Sequence, residues 1–350
     1  MDRIYCLLNI THTDLDGIAC NIVARRLINT RNEYNEYELE SIFIDQPSDL
    51  YNRLVELNHD IQSNGGKYKD YYMTQIFITD LSISDDKTAD LLDEMSITGI
   101  SCSIIVIDHH RSSLQYVRRK FGCIILPEKQ YITGLIPECG ASLFYSEYCD
   151  TNVNMDTFIE MVRLHDTYTF AGSKIGAFAE ELQLLFTSLD RESFIDKVIG
   201  KINDSDSIFY QWDNDERAMI DAAKERMESA YAQVKSNYAD VKLNSDTAFG
   251  ETYIAVFSAR SNVSYVCDRL LTEFPDIDIA VNISLPYMKV DLRTHSDKID
   301  LSKIAQKYGG GGHQKAAGFQ LNSEMLRQMF QAIANFNYEE FTRNLDYYVN

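Results

Sequence analysis

Eight side chains able to hold a cation or move a proton fall in four groups along the first half of the sequence. His12, Asp14 and Asp16 occupy alternate positions; Asp80, the run Asp108-His109-His110 and Asp166 follow. Unpaired carboxylates brought into one crevice repel one another, and burying them is costly. Divalent cations remove both penalties. Mixed carboxylate and imidazole donors suit manganese, iron or zinc better than calcium. The absence of cysteine from the set argues against structural zinc. Each group also has a plainer reading when taken alone. The D-x-D pair could cap the next helix, with Asp16 well placed for it, and Asp80 could cap the helix after it. A His-His pair is often a surface feature, and Asp166 could be a solvated helix-end residue. What lifts the set above these readings is where its members fall.

Ile4 to Ile10 is an apolar run of strand length. It ends at Thr11-His12-Thr13-Asp14-Leu15-Asp16-Gly17, and a helical pattern follows from Ile18 to Ile28. Leu39 to Ile44 reads as a second strand, Gln75 to Thr79 as a third ending at Asp80, and Ser103 to Ile107 as a fourth ending at Asp108-His109-His110. A helix is expected over Asp85 to Met95. Strands separated by helices imply a parallel sheet covered on both faces, and such sheets bind ligands at the carboxyl ends of their strands. Three strand ends, at residues 11–16, 80 and 108–110, are thus expected to converge on one crevice.

After Cys139 the pattern turns helical. Met155 to Leu164 leads into His165-Asp166, and residues 190–240 read as charged helices with Glu216, Arg217, Lys224, Glu225 and Arg226 on solvated faces. The last hundred residues return to α/β. Strands are expected at Tyr253–Phe257, Ile277–Ile283 and Met288–Arg293. A short helix over Ser302–Tyr308 precedes Gly309-Gly310-Gly311-Gly312-His313 and Ala316-Ala317-Gly318-Phe319. The fold class is therefore α/β: an N-terminal parallel-sheet domain over 1–190, a helical linker region over 191–245, and a smaller C-terminal α/β domain over 246–350, the two domains facing each other across a cleft.

Composition narrows the partners. The net charge of −20 repels polyanions at long range, whereas proteins that grip long duplexes carry a basic face. Any nucleic acid handled here is expected to be short, or held by a local pocket and metal ions. No run of about 18 apolar residues marks a membrane span, and the opening stretch reads as a strand rather than a signal peptide. The seven cysteines (Cys6, Cys20, Cys102, Cys123, Cys139, Cys149, Cys267) are scattered, odd in number and form no C-x-x-C, which suits free thiols in a reducing cytoplasm.

In this order and at these strand ends, the sequence resembles the DHH phosphoesterase superfamily. His12-Thr13-Asp14-Leu15-Asp16-Gly17 is similar to its first motif, Asp80 in Ile78-Thr79-Asp80-Leu81 to its second, Asp108-His109-His110 to the naming motif, and Asp166 in Leu164-His165-Asp166 to the fourth. The glycine run with Ala316-Ala317-Gly318-Phe319 behind it resembles the signature of the accompanying C-terminal domain, often called DHHA1. The resemblance spans residues 11 to about 320. It implies that His12 and Asp14 hold one metal ion, that Asp16, His109 and Asp166 hold another, and that Asp80 bridges them. By the same resemblance His110 faces the scissile phosphate and Asp108 fixes a histidine's orientation. The implied cofactors are two divalent ions, manganese first, with magnesium or cobalt as alternatives. Two metals about 3.5–4 Å apart can acidify a water and neutralise a phosphate, so no protein nucleophile is needed.

The glycine run could be a turn after the preceding helix, or a bare backbone at which N–H groups approach a substrate anion. The second reading makes Gly310, Gly311, Gly312 and His313 substrate-binding residues. Arg293 resembles a family position that contacts the nucleotide; otherwise it is a strand-end arginine in a surface ion pair. Arg260, Asn262 and Lys315 are weaker candidates. Among family members the two-domain oligoribonucleases are nearest in size and motif style. The expected function is therefore hydrolysis of short RNA or DNA oligonucleotides to mononucleotides by a manganese-dependent, cytoplasmic phosphodiesterase. No long duplex or membrane would be bound, and a homodimer is left open. The same metal centre would equally serve a 3′-phosphoadenosine 5′-phosphate phosphatase or a cyclic-dinucleotide phosphodiesterase. A RecJ-type exonuclease lacks its basic, aromatic-rich tracking module here, a family II pyrophosphatase lacks the glycine signature, and a non-catalytic nucleotide sensor would not need every ligand. Residues 175–245 match no motif, so specificity could reside there.

Overall fold

The computed structural model describes residues 4–32, 36–63, 66–68, 70–83, 85–98, 102–110, 113, 116, 137–170, 173–206, 208–243, 252–312 and 314–327. The chain forms two compact units, Met1–Asp221 and Ala222–Asn350.

The first unit contains β1 (Ile4–His12), α1 (Leu15–Arg31), β2 (Glu36–Ile44), α2 (Leu50–Gln62), β3 (Met73–Thr79), α3 (Asp86–Thr98), β4 (Cys102–Ile107), α4 (Gly140–Tyr148), α5 (Val153–Asp166), α6 (Gly176–Ser188) and α7 (Arg191–Asn203). Its four strands lie in the order β2-β1-β3-β4, all parallel. Successive strand side chains point to opposite faces. Leu7 and Phe77 thus enter one core with α1 and α4 to α7, whereas Leu8, Ile10, Ile76 and Ile78 enter the other with α2 and α3. Both faces are covered, which is why the central strands β1 and β3 and the edge strand β4 read as largely apolar runs, whereas β2 alternates. Helix α1 is buried nearly all round from Leu15 to Ala24, so it has no polar stripe to advertise it.

The register brings the strand ends level. His12 pairs with Ile44, Thr11 with Thr79 and Thr79 with Ile107. The residues that follow, and with them Asp14, Asp80 and Asp108, emerge along one edge.

Helix α8 (Asn214–Lys235) runs through the division between the units. The second unit adds β5 (Ala239–Leu243), β6 (Thr252–Phe257), α9 (Val263–Glu273), β7 (Ile279–Ser284), β8 (Lys289–Arg293), α10 (Leu301–Lys307), β9 (Gly311–Gly312) and β10 (Ala316–Gln320). The sheet order is β5-β6-β7-β8-β10-β9. Only β6 and β7 are parallel, joined by α9, and the other pairs are antiparallel. One core lies between the sheet, α8 and α9, and another beneath α10.

One expectation is overturned at the start of α8. Glu216 is fully buried rather than solvated. Its carboxylate accepts from the backbone N–H of Asp213, and Asp213 accepts from the N–H of Glu216, a reciprocal capping box. Among the described residues no helix is long and apolar enough to cross a membrane. The six described cysteines are free thiols, and Cys123 lies outside the described residues.

Candidate metal centre

Asp14 sits between β1 and α1 and caps the helix, accepting from Gly17 N–H at 3.0 Å. This corrects the placing of Asp16 as the cap. Asp16 lies in the first turn instead, with both oxygens engaged elsewhere: Gly140 N–H donates to Oδ2 at 2.7 Å and Ala141 N–H to Oδ1 at 2.9 Å. These are the first amides of α4, so a helix N-terminus fixes the position of the carboxylate. Nor does Asp80 cap the next helix; Asp85 accepts from Thr88 N–H there.

Asp80 follows β3 with φ of 52°, in the left-handed region that a non-glycine residue rarely adopts. Its N–H donates to Ile107 O at 3.0 Å, tying it to the end of β4. His109 is buried, and its Nε2 lies 3.4 Å from Asp80 Oδ1, 3.6 Å from Asp166 Oδ2 and 4.0 Å from Asp16 Oδ2. Asp166 reaches this place from the last turn of α5 and is not a solvated helix end. Its Oδ2 is buried without a hydrogen-bond partner among the described residues. On the other side of Asp80, His12 Nδ1 lies 2.8 Å from Asp14 Oδ2, while its Nε2 contacts Asp45 O at 3.2 Å. With Nε2–H donating to that carbonyl, Nδ1 is left as the ligand atom.

Asp108 is fully buried and orients its neighbours. Its Oδ1 accepts from the backbone N–H of His109 at 2.9 Å and meets His110 Nδ1 at 2.7 Å; Oδ2 accepts from Ser113 Oγ at 2.5 Å.

The electrostatics follow from this crowding. Burial and the charges of Asp16 and Asp14 push the Asp80 carboxyl well above its usual range, and the same causes raise Asp166. Burial would raise Asp14 too, but the hydrogen bond and charge of His12 win and hold it low. Burial would lower His110, but Asp108 overrides it and raises the imidazole to about 9. His109 is lowered by burial and by the charge of His110.

Three donor sets, each able to surround one ion, result: His12, Asp14 and Asp80; Asp16, His109 and Asp166; and Asp80, His109 and His110. Asp80 joins the first to the third and His109 the second to the third. Raised carboxyls, a buried oxygen without a donor and imidazoles facing them fit divalent cations.

Residues 253–339 match the DHHA1 domain family. Over 331 residues, 93% of this chain, the sequence is 28% identical to Oligoribonuclease NrnB of Bacillus subtilis (strain 168), of which it covers 75%. The chain thus carries a match to the DHHA1 domain and is similar to an oligoribonuclease over nearly its whole length. Solved structures share its fold. The DHH domain of a protein described as a member of a family of ribosomal proteins superposes with a TM-score of 0.65 at 13% identity, over 95% of this chain and 86% of that one. RecJ from Thermus thermophilus, in complex with Mn2+, gives 0.53 at 13% identity, over 93% of this chain and 51% of that one.

Gly140 is a residue beside this cluster that the sequence reading missed. A Cβ there would lie 2.9 Å from Asp80 Cβ and 3.0 Å from Asp16 Oδ2, so only glycine lets α4 approach both aspartates. Cys139-Gly140-Ala141, a run of small residues opening a helix, was the available signal.

The substrate candidates lie in the DHHA1 unit. Arg293 ends β8 and makes no surface ion pair among the described residues. Its guanidinium donates to Ser264 Oγ and to Leu292 O, each at 3.0 Å. Lys315 pairs with Asp297 at 2.7 Å. Asn262 precedes α9 in a left-handed conformation (φ 56°), and Arg260 lies in the bend before it. Gly309 (φ 77°) ends α10: its N–H reaches Gln306 O, and Gly310 N–H reaches Ala305 O, the paired bonds of a Schellman cap. Two amides of the glycine run are thus used by the helix, and Gly311 and Gly312 pair with Gly318 and Ala317. His313 lies outside the described residues.

Proposed function

We propose that this chain hydrolyses phosphodiester bonds in short oligonucleotides, releasing mononucleotides, with two divalent cations, manganese first, as cofactors. The observation that carries the proposal is the joining of donor sets through Asp80 and His109 at one sheet edge. His12, Asp14 and Asp80 would hold one ion; Asp16, His109 and Asp166, with Asp80 between, the other. Cations held there would supply Lewis-acid activation of water and charge neutralisation at the phosphate.

The chain's own residues supply the rest. Asp108 fixes His110 through Nδ1 and raises its pKa, which favours a second proton on Nε2. That N–H would donate to a phosphate oxygen as negative charge gathers on it. Arg293, Gly310, Gly311, Gly312 and His313 are proposed to hold the nucleotide, on the family resemblance. Two features support a short substrate: the relative over nearly the whole chain is named an oligoribonuclease, and a net charge of −20 disfavours long polyanions.

The test is a gel of 5′-end-labelled RNA of two, five and twenty-four nucleotides with manganese, using Asp80→Ala as control. Rapid loss of the two shorter RNAs, slow loss of the longest and no loss with the variant are expected. Equal rates at all lengths would overturn the short-substrate reading, and no cleavage at any length would overturn the oligonucleotide reading.

A further inference from the structure

Helix α1 carries Asp16 in its first turn and two arginines further along. From Asp16 to Arg26 the helix rises about 15 Å. There a cavity of about 200 Å³ opens between α1, α5 and α7. Its floor is apolar and buried, made by Ile22, Met155 and Ile202; its wall is formed by Arg25 and Arg26, and Asn29 and Asn203 stand exposed at the rim. No acidic side chain among the described residues lines it, although acidic residues outnumber basic ones 53 to 33 in the sequence.

The two arginines differ. Arg25 is held in place: Nε donates to Asn21 Oδ1 and Nη2 to Glu192 Oε2, each at 3.0 Å. Arg26 has no carboxylate partner among the described residues, and its Nε is buried without an acceptor. A guanidinium is always charged and presents a planar fork of donors that matches a phosphate. A buried N–H without an acceptor is costly, and beside an open cavity it points to an anionic ligand.

We infer that this cavity binds a small phosphate monoester, its phosphate on Arg25 and Arg26 and its organic part on Ile22, Met155 and Ile202. Nucleoside monophosphates are the members of that class which the proposed reaction would release. The choice of nucleotide rests on that reaction; the anion site itself does not.

The test is isothermal titration of the full chain in chelator with AMP and, separately, with inorganic phosphate. Binding of one AMP per chain is expected, weakened about tenfold or more by Arg26→Met and by Asn203→Trp, which blocks the rim, and unchanged by Asp80→Ala. Phosphate should bind about tenfold more weakly than AMP, because it leaves the apolar floor uncovered. No heat at millimolar AMP, or an affinity indifferent to both cavity variants, would overturn the site. Loss of binding in Asp80→Ala would move the ligand to the metal centre and overturn it equally. Phosphate binding as tightly as AMP would overturn the role of the floor. None of these readouts needs RNA cleavage, so failure of the proposed reaction would show separately.

Discussion

The first unit holds two groups of carboxylates with buried members, and they are treated differently. Around the start of α8, Glu216 is met by Lys201 Nζ at 3.0 Å and Lys197 Nζ at 3.6 Å, and Glu181 by Arg217 Nη1 at 2.7 Å and Trp212 Nε1 at 2.6 Å. Each negative charge has a cation supplied by the chain. At the sheet edge Asp14, Asp16, Asp80 and Asp166 meet histidines and backbone amides, and among the described residues no lysine or arginine pairs with them. Burial of charge therefore does not mark function here. A deficit of positive charge sets the second group apart, and under the proposed function divalent ions would make it good.

The sharpest way to break this contrast is a pair of substitutions. Asp80→Ala should reduce cleavage of a five-nucleotide RNA by about a thousandfold or more, while Glu216→Gln, assayed well below its melting temperature, should leave the rate within about twofold. Comparable losses in both would mean that the two clusters do not differ in kind. Next in size, Glu216→Ala takes the buried carboxylate from Lys201, leaves Lys197 with Asp213 alone and removes half of the capping box, and should cost about 3–5 kcal/mol of stability in urea titrations; a change under about 1 kcal/mol would show that the balanced cluster is not balanced by these pairs. Asp108→Asn keeps the shape but weakens the hold on His110. It should lower kcat by about 10–100-fold with little change in KM, and an effect confined to KM would remove Asp108 from the chemistry.

The smallest effect is on stability against pH. Asp80 and Asp166 are raised by burial and by neighbouring carboxylates. A carboxyl raised by folding contributes stability below its unfolded pKa of about 3.9 and withdraws it as pH climbs through the folded value. In chelator the protein should therefore melt several degrees lower at about pH 7.5 than at about pH 5.5. Asp80→Asn should flatten that slope and manganese should remove most of it. A slope unchanged in the variant would trace the effect to the overall charge of −20.

Much of this was legible in the residues. Strands β1, β3 and β4 are largely apolar on both faces, so the polar residues that end them stand out: the apolar run from Ile4 gives way after Ile10, and Asp80 and Asp108 each directly follow a strand. What was not legible depends on distant partners. Nothing local distinguishes Asp14 from Asp16 as the cap, because the choice is made by the amides of α4, 124 residues away from Asp16. Gly140 escaped for the same reason. Glu216 looked solvated because its sequence neighbours are charged; α7, which supplies its lysines, is what buries it. The division between the units falls inside α8, a charged helix with no linker composition.

The all-parallel order β2-β1-β3-β4 also sets when the site can exist during synthesis. Parallel neighbours cannot be joined by a hairpin, so each pairing waits for a crossover segment to emerge. Asp166 arrives last, beyond the entire sheet. A nascent chain that has completed its strands still lacks one donor and the α4 amides that steady Asp16. Under the proposed function, tight cation retention by arrested chains of increasing length should therefore switch on only after α5 has left the ribosome, which would make ion capture follow the pairing of this sheet rather than trigger it.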